Sequence, residues 1–109
     1  MTYQELLNKA AGLKCSESRA RLEHYFEIVV AKEDLPPVEV LLESYFGVPL
    51  KSAGQPASLE LSVLARPFGG VQVNQTAYFY QGPDRGEFAF LWPWSNGLSI
   101  TIKIMTEKK

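Results

Sequence analysis

This chain has little cysteine, little histidine and almost no net charge, and each of these properties excludes a class of protein. The 109 residues include one cysteine, Cys15, and one histidine, His24. A single thiol cannot close a disulfide within the chain, and a Cys/His zinc site requires three or four ligands. The sequence therefore predicts neither a disulfide scaffold nor a metal site, and it indicates no cofactor.

Long apolar segments are missing as well. The longest aliphatic or aromatic run, 88–92, is far shorter than the roughly 20 residues that cross a bilayer, and the first residues lack the basic and apolar regions of a secretory signal. The net charge of −1 provides no general positive field to attract phosphates. We therefore expect a cytoplasmic protein that binds neither membrane nor nucleic acid.

What is present is the composition of one folded domain. Hydrophobic residues make up 46% of the chain and charged residues 21%, which is ordinary for a globular protein of common domain size. We predict a single domain over residues 1–109. It would consist of a helical half (1–50), a polar connecting loop (51–58) and an antiparallel sheet (59–106).

Two segments of the first half have clear helix signals. Residues 2–12 begin with a capping box, in which the side chains of Thr2 and Glu5 each accept a backbone N–H. Residues 36–46 begin with two prolines, which a helix tolerates only in its first turn, and Gly47 follows as a stop signal. Both segments are predicted to be helices.

A third segment is ambiguous. Over residues 16–32 the apolar side chains form a stripe at helical spacing. Residues 22–31 also fit a strand, because His24, Phe26 and Ile28 alternate with charged or aromatic neighbours. We favour the helix, and a strand over residues 22–31 is the alternative.

After the connecting loop the apolar positions recur every second residue, as in β-strands. The predicted strands span residues 59–66, 70–81, 86–94 and 98–106. Glycine-containing turns join them. A four-residue turn places Phe79 opposite Phe88, and a three-residue turn ending at Gly97 places Trp92 opposite Ile100.

On this pairing one sheet face collects most of the apolar side chains. Its members would include Val73, Phe88, Phe90, Trp92, Ile100, Ile102 and Ile104. Amphipathic helices need such a face to cover. We therefore predict an α+β fold in which two or three N-terminal helices pack on one face of a four-stranded antiparallel β-meander.

No set of residues indicates catalysis. Cys15 and His24 are not brought together by any motif, and the carboxylates follow the outer faces of the predicted helices, as solvated charges do. We assign no catalytic residue and do not expect an enzyme, although the sequence does not decide this point.

The opposite face of the sheet, with two hairpin tips, is the predicted binding surface. Tyrosine and leucine side chains fall there by strand parity, and an exposed apolar patch often marks a partner surface. The candidate partner-binding residues are Tyr78, Tyr80, Leu91, Leu64, Phe68 and Trp94. The sequence predicts a non-enzymatic protein–protein interaction or accessory module, whose partner is another protein or a second copy in a homodimer. Self-association would use the outer face or the edge of the sheet. An ordinary half-polar solvated face is the alternative.

A second hypothesis places an apolar pocket between helices and sheet. Its lining residues would be Tyr45, Gln75, Phe88, Phe90 and Trp92. Gln75 is the polar side chain expected on the inner face, where a buried amide needs partners. The chain would then be a small-ligand-binding protein or a small enzyme.

Overall fold

The computed structural model describes residues 1–66 and 70–106, except for the side chain of Leu64. Within these residues the elements are α1 (Tyr3–Ala11), β1 (Glu17–Arg21), β2 (Tyr25–Ala31), α2 (Leu35–Phe46), α3 (Leu59–Ala65), β3 (Thr76–Gln81), β4 (Gly86–Pro93) and β5 (Ser99–Thr106). A 3-10 helix, Lys32–Asp34, leads into α2. No helix in this part of the chain has the length and apolar character needed to cross a membrane.

The strands form one antiparallel sheet in the order β1-β2-β5-β4-β3. The predicted α+β class is confirmed. The predicted four-stranded meander is wrong in detail, because only β3, β4 and β5 follow one another across the sheet. The other two strands are added on the far side of β5 and come from the first half of the chain.

Both strongly signalled helices are confirmed. In α1 the Thr2 hydroxyl accepts from the Glu5 backbone N–H at 3.1 Å, and the Glu5 carboxylate accepts from the Thr2 backbone. In α2 the prolines occupy the first turn. The helix ends at Gly47, whose φ of 81° suits glycine.

The favoured helix over residues 16–32 is wrong, and the strand interpretation of 22–31 is correct. A tight turn at Glu23 and His24 joins β1 to β2, where the backbones of Leu22 and Tyr25 exchange hydrogen bonds of 2.9 and 3.3 Å. The β-branched run that follows, 28–30, suits a strand buried on both faces. Its side chains are buried by helices on one side and by the sheet's own side chains on the other.

The predicted strand over residues 59–66 is also wrong, because Leu59–Ala65 is helix α3. The Ser58 hydroxyl caps it by accepting from the Leu61 backbone N–H at 3.1 Å. Leu61 and Ala65, four residues apart, are its buried side. Positions that recur every second residue include such pairs, so the alternating pattern fits one buried helix face equally well.

The sheet is covered on both faces, not on one as predicted. The first face packs against α1 and α2 through Phe26, Ile28, Val30, Tyr78, Ala89, Leu91, Ile100, Ile102 and Ile104. The second face packs against α3 through Ala77, Phe88, Phe90 and Met105. Because successive side chains of a strand alternate between faces, these two sets account for neighbouring positions of the same strands.

The β4–β5 turn contains one residue more than predicted, and this is one reason why side chains of β4 and β5 lie on other faces than expected. Phe79 lies opposite Phe88 as predicted, but Trp92 lies opposite Thr101, not Ile100. The turn contains four residues, 95–98, and the Trp94 N–H donates to the Ser99 carbonyl at 2.9 Å to close it. Such a slip moves every side chain of β5 to the other face relative to β4.

Candidate functional site

Helix α3 covers only the part of the second face formed by β3, β4 and one end of β5. The uncovered part carries a group of aromatic and charged side chains. We call this group the aromatic–cation surface; it consists of Glu17, Arg19, Tyr25, Glu27, Trp92, Trp94, Thr101 and Lys103. Trp92 is 39% exposed, and Trp94 is half-buried beside it.

Each tryptophan of this surface has a cation against its ring. The Lys103 Nζ lies 5.8 Å from the centroid of the Trp92 ring, and the Arg19 guanidinium carbon lies 5.6 Å from that of Trp94. Both separations are within the range of cation–π attraction. The Trp94 indole N–H also donates to Thr101 Oγ1 at 2.8 Å. These contacts fix the orientation of both indoles.

Glu27 connects the charged members of the surface. It accepts hydrogen bonds from the Tyr25 hydroxyl and, at 3.2 Å, from Arg19, and it lies opposite Lys103 in the β2–β5 register. Burial alone raises the pKa of Glu27, but the hydrogen bonds from Tyr25 and Arg19, with the charge of Lys103, outweigh burial and bring this pKa below its ordinary value. The carboxylate is therefore held ionised.

Arg19 is shared between two carboxylates. Its Nε donates to Glu17 at 3.0 Å while its terminal nitrogen donates to Glu27. These hydrogen bonds, led by the one to Glu27, raise the pKa of Arg19 further above its ordinary value. The same guanidinium lies against the Trp94 ring, so one side chain links β1, β2 and the β4–β5 turn.

A cavity of about 180 Å³ adjoins Trp92. Its lining consists of Gly70, Gln72, Gln75, Phe90, Trp92, Lys103 and Met105. The Gln75 side-chain oxygen accepts from the Gln72 backbone N–H at 2.7 Å, which satisfies part of this buried amide. Three of the residues predicted to line a pocket, Gln75, Phe90 and Trp92, therefore meet here.

The other two predicted pocket residues lie elsewhere. Phe88 is buried beneath α3, with its ring 5.8 Å from that of Phe90. Tyr45 belongs to the first face, where its ring lies 5.9 Å from that of Tyr80. The expectation that Tyr45 shares a pocket with the phenylalanines of β4 is wrong, because α2 packs on the opposite side of the sheet.

The predicted partner-binding residues are also divided between the faces. Tyr78 and Leu91 were expected to face away from the helices, and this is wrong: both are buried beneath them. Tyr80 is 46% exposed at the end of the first face. Trp94 lies on the second face. Phe68 and the Leu64 side chain fall outside what the structure describes.

The two edges of the sheet are protected, in contrast to the predicted association through edges. Strand β1 has a bulge between Ser18 and Ala20. It also places Glu17, Arg19 and Arg21 along the edge, and charges and bulges both oppose strand addition. At the other edge, Lys51 forms a backbone bridge with Ala77 of β3.

The Lys51 side chain anchors that second edge. The residue is 4% exposed, and its ammonium donates to the carbonyls of Val73 at 2.8 Å, Ser52 at 3.1 Å, and Gln75. Burial lowers the pKa of Lys51. Three carbonyl acceptors are a complete set for an ammonium group, so we interpret this lysine as a structural clamp.

Another cavity, of about 410 Å³, lies between α1 and the β1–β2 turn. Leu7 and Phe26 form its apolar wall, while the amides of Gln4 and Asn8 on its rim are hydrogen-bonded to each other at 3.1 Å. Arg21, whose Nε donates to Ser18 Oγ at 2.8 Å, and Glu23 also line this cavity. Three of its four polar side chains are therefore bonded to other residues of the chain.

Sequence reasoning missed Arg19, Tyr25, Glu27 and Lys103 as members of a site. The reason is that β1 and β2 were assigned to a helix, so that Arg19, Tyr25 and Glu27 were not expected to be part of the sheet. The alternating pattern of 22–31 was the signal that could have placed them. No local turn connects β2 to β5, so their pairing could not be predicted from a turn.

Comparisons with known proteins identify no relative of this chain. No family model matches it, and no curated protein or solved structure is significantly similar. Within residues 1–66 and 70–106, no three histidine, cysteine or carboxylate side chains are grouped as a metal ion would require.

Proposed function

We propose that this protein is a non-enzymatic interaction module that binds another protein through the aromatic–cation surface. The supporting observation is the pair Trp92 and Trp94, displayed where α3 leaves the sheet uncovered and each placed against a cation. Tryptophan, tyrosine and arginine are the residue types most enriched at binding hot spots. This surface brings all three together.

The order of the surface before binding supports the same function. Trp94 is held by Thr101 and Arg19, and Trp92 lies against Lys103. Fixing a large side chain costs entropy on association, so a side chain that is already fixed binds at lower cost. Aromatic anchors with few rotatable bonds have this advantage to the greatest degree.

The charges of the surface favour a protein over a nucleic acid. Arg19 and Lys103 provide two cations, and Glu17 and Glu27 provide two carboxylates that lie among them. Binding to phosphates depends on surplus positive charge, which this balance does not supply. A mixed pattern suits a complementary protein surface, and a second copy of the chain presents such a pattern by symmetry.

The size of the neighbouring cavity also favours a protein partner. At about 180 Å³ it is smaller than the roughly 300 Å³ at which small-molecule pockets begin. It is large enough for one inserted side chain, and hot-spot residues commonly dock into pockets of that kind. The small-ligand alternative depends on Gln75, Phe90 and Trp92 meeting there, and only a very small ligand would fit.

The test compares two surfaces of one chain. Tagged wild-type protein, the double variant Trp92→Ala/Trp94→Ala, and Tyr80→Ala are each used to capture partners from native lysate, and each is examined alone by light scattering across a concentration series. Tyr80 is a matched control because it is an aromatic of similar exposure on the opposite face.

We expect wild type to capture a protein or to form a concentration-dependent dimer. Tyr80→Ala should retain this binding, and the double variant should lose it. Circular dichroism is used to check that both variants are folded. A complex that survives the loss of both tryptophans contradicts the proposed surface. A monomer that captures nothing at any concentration tested contradicts the proposed function.

A further inference from the structure

A buried carboxylate lies on the first face of the sheet, away from the aromatic–cation surface. Glu87 of β4 is 6% exposed. One of its oxygens accepts a hydrogen bond from the Tyr45 hydroxyl at the end of α2. It lies opposite Tyr80 in the β3–β4 register. Tyr45 of α2, Tyr80 of β3 and Tyr3 of α1 lie near this one acidic group.

The third of these tyrosines, Tyr3 of α1, has a buried hydroxyl without a hydrogen-bond partner among the described residues. Burial, and then the charge of Glu87, raise the pKa of Tyr3. Burial and the hydrogen bond to Glu87 raise the pKa of Tyr45 in the same way. Both phenols are therefore held protonated near the carboxylate, and the Tyr3 hydroxyl is free to bond to a further group.

Glu87 has no cationic partner in the ion pairs of the described residues, which involve Lys14, Arg19 and their carboxylates. The nearby Arg85 is placed differently: its guanidinium carbon lies 5.3 Å from the centroid of the Tyr3 ring. A buried carboxylate without an opposite charge is unfavourable. The position of Arg85 shows that a cation is stable beside this cluster.

A cavity of about 280 Å³ leads from solvent to Glu87. The β3–β4 turn forms its wall through Gly82, Pro83, Asp84 and Arg85. Two carboxylates and one guanidinium give this lining a net negative charge, which favours a cation over an anion. Two carboxylates are too few oxygen ligands to enclose Ca²⁺, which takes six to eight, so an organic cation suits the site better than a metal ion.

We propose that this cavity is a binding site for a small organic ammonium compound. The ammonium group donates hydrogen bonds to the Glu87 carboxylate, next to which lie Tyr45 and Tyr80, with ring centroids 5.9 Å apart. Aromatic rings next to a carboxylate are the usual recognition chemistry for such cations. The cavity volume restricts the ligand to a few heavy atoms, because it is below the range for drug-sized molecules.

The experiment uses n-butylammonium as the probe and butyrate as the anionic control, each titrated into the full chain and followed by NMR of labelled tyrosine rings. Wild type should bind butylammonium saturably at millimolar concentration, with shifts at the rings of Tyr3, Tyr45 and Tyr80. Glu87→Gln, which keeps an oxygen to accept from Tyr45, should weaken binding by at least about tenfold. Glu43→Gln, an exposed carboxylate of α2, is the matched control and should bind as wild type does.

Arg85→Gln keeps the test decisive if Glu87→Gln does not fold. Because it removes a positive charge that repels the probe, it should bind butylammonium at least as tightly as wild type. Tenfold weaker binding by Arg85→Gln, equal binding by wild type and Glu87→Gln, or no saturable binding of butylammonium would overturn the proposal. Capture of a protein by the other face is unaffected by any of these outcomes.

Discussion

The indole N–H of Trp94 donates a 2.8 Å hydrogen bond to Oγ1 of Thr101 on the adjacent strand. This bond fastens the β4–β5 turn to the middle of the sheet and fixes one of the two tryptophans of the aromatic–cation surface. Its removal should affect stability and the order of Trp94 together.

The change that tests this bond is Thr101→Val, which keeps the shape of the side chain and removes the acceptor. Because a half-buried N–H is left without its partner, we expect a loss of about 1 kcal/mol in the free energy of unfolding. Urea unfolding measures this loss, and tryptophan fluorescence anisotropy in a Trp92→Phe background measures the order of the Trp94 ring. Thr101→Ser retains the hydroxyl and should behave as wild type; equal losses in both variants would contradict a role for the hydrogen bond.

The pH dependence of stability should report on Glu27. Its pKa in the folded protein is below the ordinary value of 4.5, so the folded state holds the ionised form more strongly than the unfolded state. This contribution is complete above pH 4.5 and is lost as the pH falls through the folded pKa. We expect the difference in unfolding free energy between wild type and Glu27→Gln to shrink over that interval, as measured by thermal melts.

Tyr25→Phe provides a direct check on the cause of that shift. It removes the hydroxyl that donates to Glu27, so the pKa of Glu27 should rise when its carboxyl carbon is titrated by NMR. Tyr80→Phe, which alters a tyrosine on the first face, should leave the pKa of Glu27 unchanged. A Glu27 pKa that does not respond to Tyr25→Phe would show that the other charges alone account for it.

Ser58→Ala tests the helix that replaces the first predicted strand. Because the Ser58 hydroxyl caps α3, its removal should lower the free energy of unfolding by about 1 kcal/mol. The matched control is Ser62→Ala, an exposed serine within the same helix, which should be neutral or slightly stabilising. Similar effects of both changes in denaturant unfolding would argue against the cap.

Lys51→Met tests the clamp at the β3 edge. The substitution keeps the apolar length of the side chain and removes the ammonium donor from the carbonyls of Gln75 and Val73, of which Val73 still accepts from the Gly54 N–H at 2.8 Å. We expect a loss of about 2 kcal/mol, as for other buried hydrogen bonds to charged groups. Lys9→Met on the exposed side of α1 should change stability by less than about 0.5 kcal/mol. Chemical denaturation measures both, and equal small effects would contradict the clamp.

Local signals in the sequence were sufficient for three local features of the structure. The capping box at Thr2, the prolines of α2, and the turn that pairs Phe79 with Phe88 each involve residues close in the chain, and each was predicted correctly. Such signals do not depend on what packs against them. They are the reason that the class of the fold could be predicted.

Two of the errors have one physical origin, which is that a short apolar pattern fits more than one period. The stripe over 16–32 satisfies helical spacing, and the alternation over 59–66 satisfies strand spacing, yet tertiary packing selected the opposite structure in each case. The β4–β5 turn was predicted to contain three residues, 95–97, and it contains four. The predicted length placed Ile100 on the same face as Trp92, which is wrong.

The candidate site inherited these errors. Trp92 and Trp94 could be recognised as large side chains near a turn, but Arg19 and Glu27 reach them only through the pairing of β2 with β5. That pairing joins segments about seventy residues apart, and no short motif specifies it. Contacts of this kind are set by the whole arrangement of the sheet.

The order of strands also determines when this molecule can form during synthesis. The ribosome completes β5 after the other four strands, yet β5 occupies the centre of the sheet between β2 and β4. Until it emerges, β1–β2 and β3–β4 exist only as separate hairpins, which are marginal in water by themselves. The five-stranded sheet therefore cannot be completed before β5 has been synthesised, because β5 joins the two hairpins.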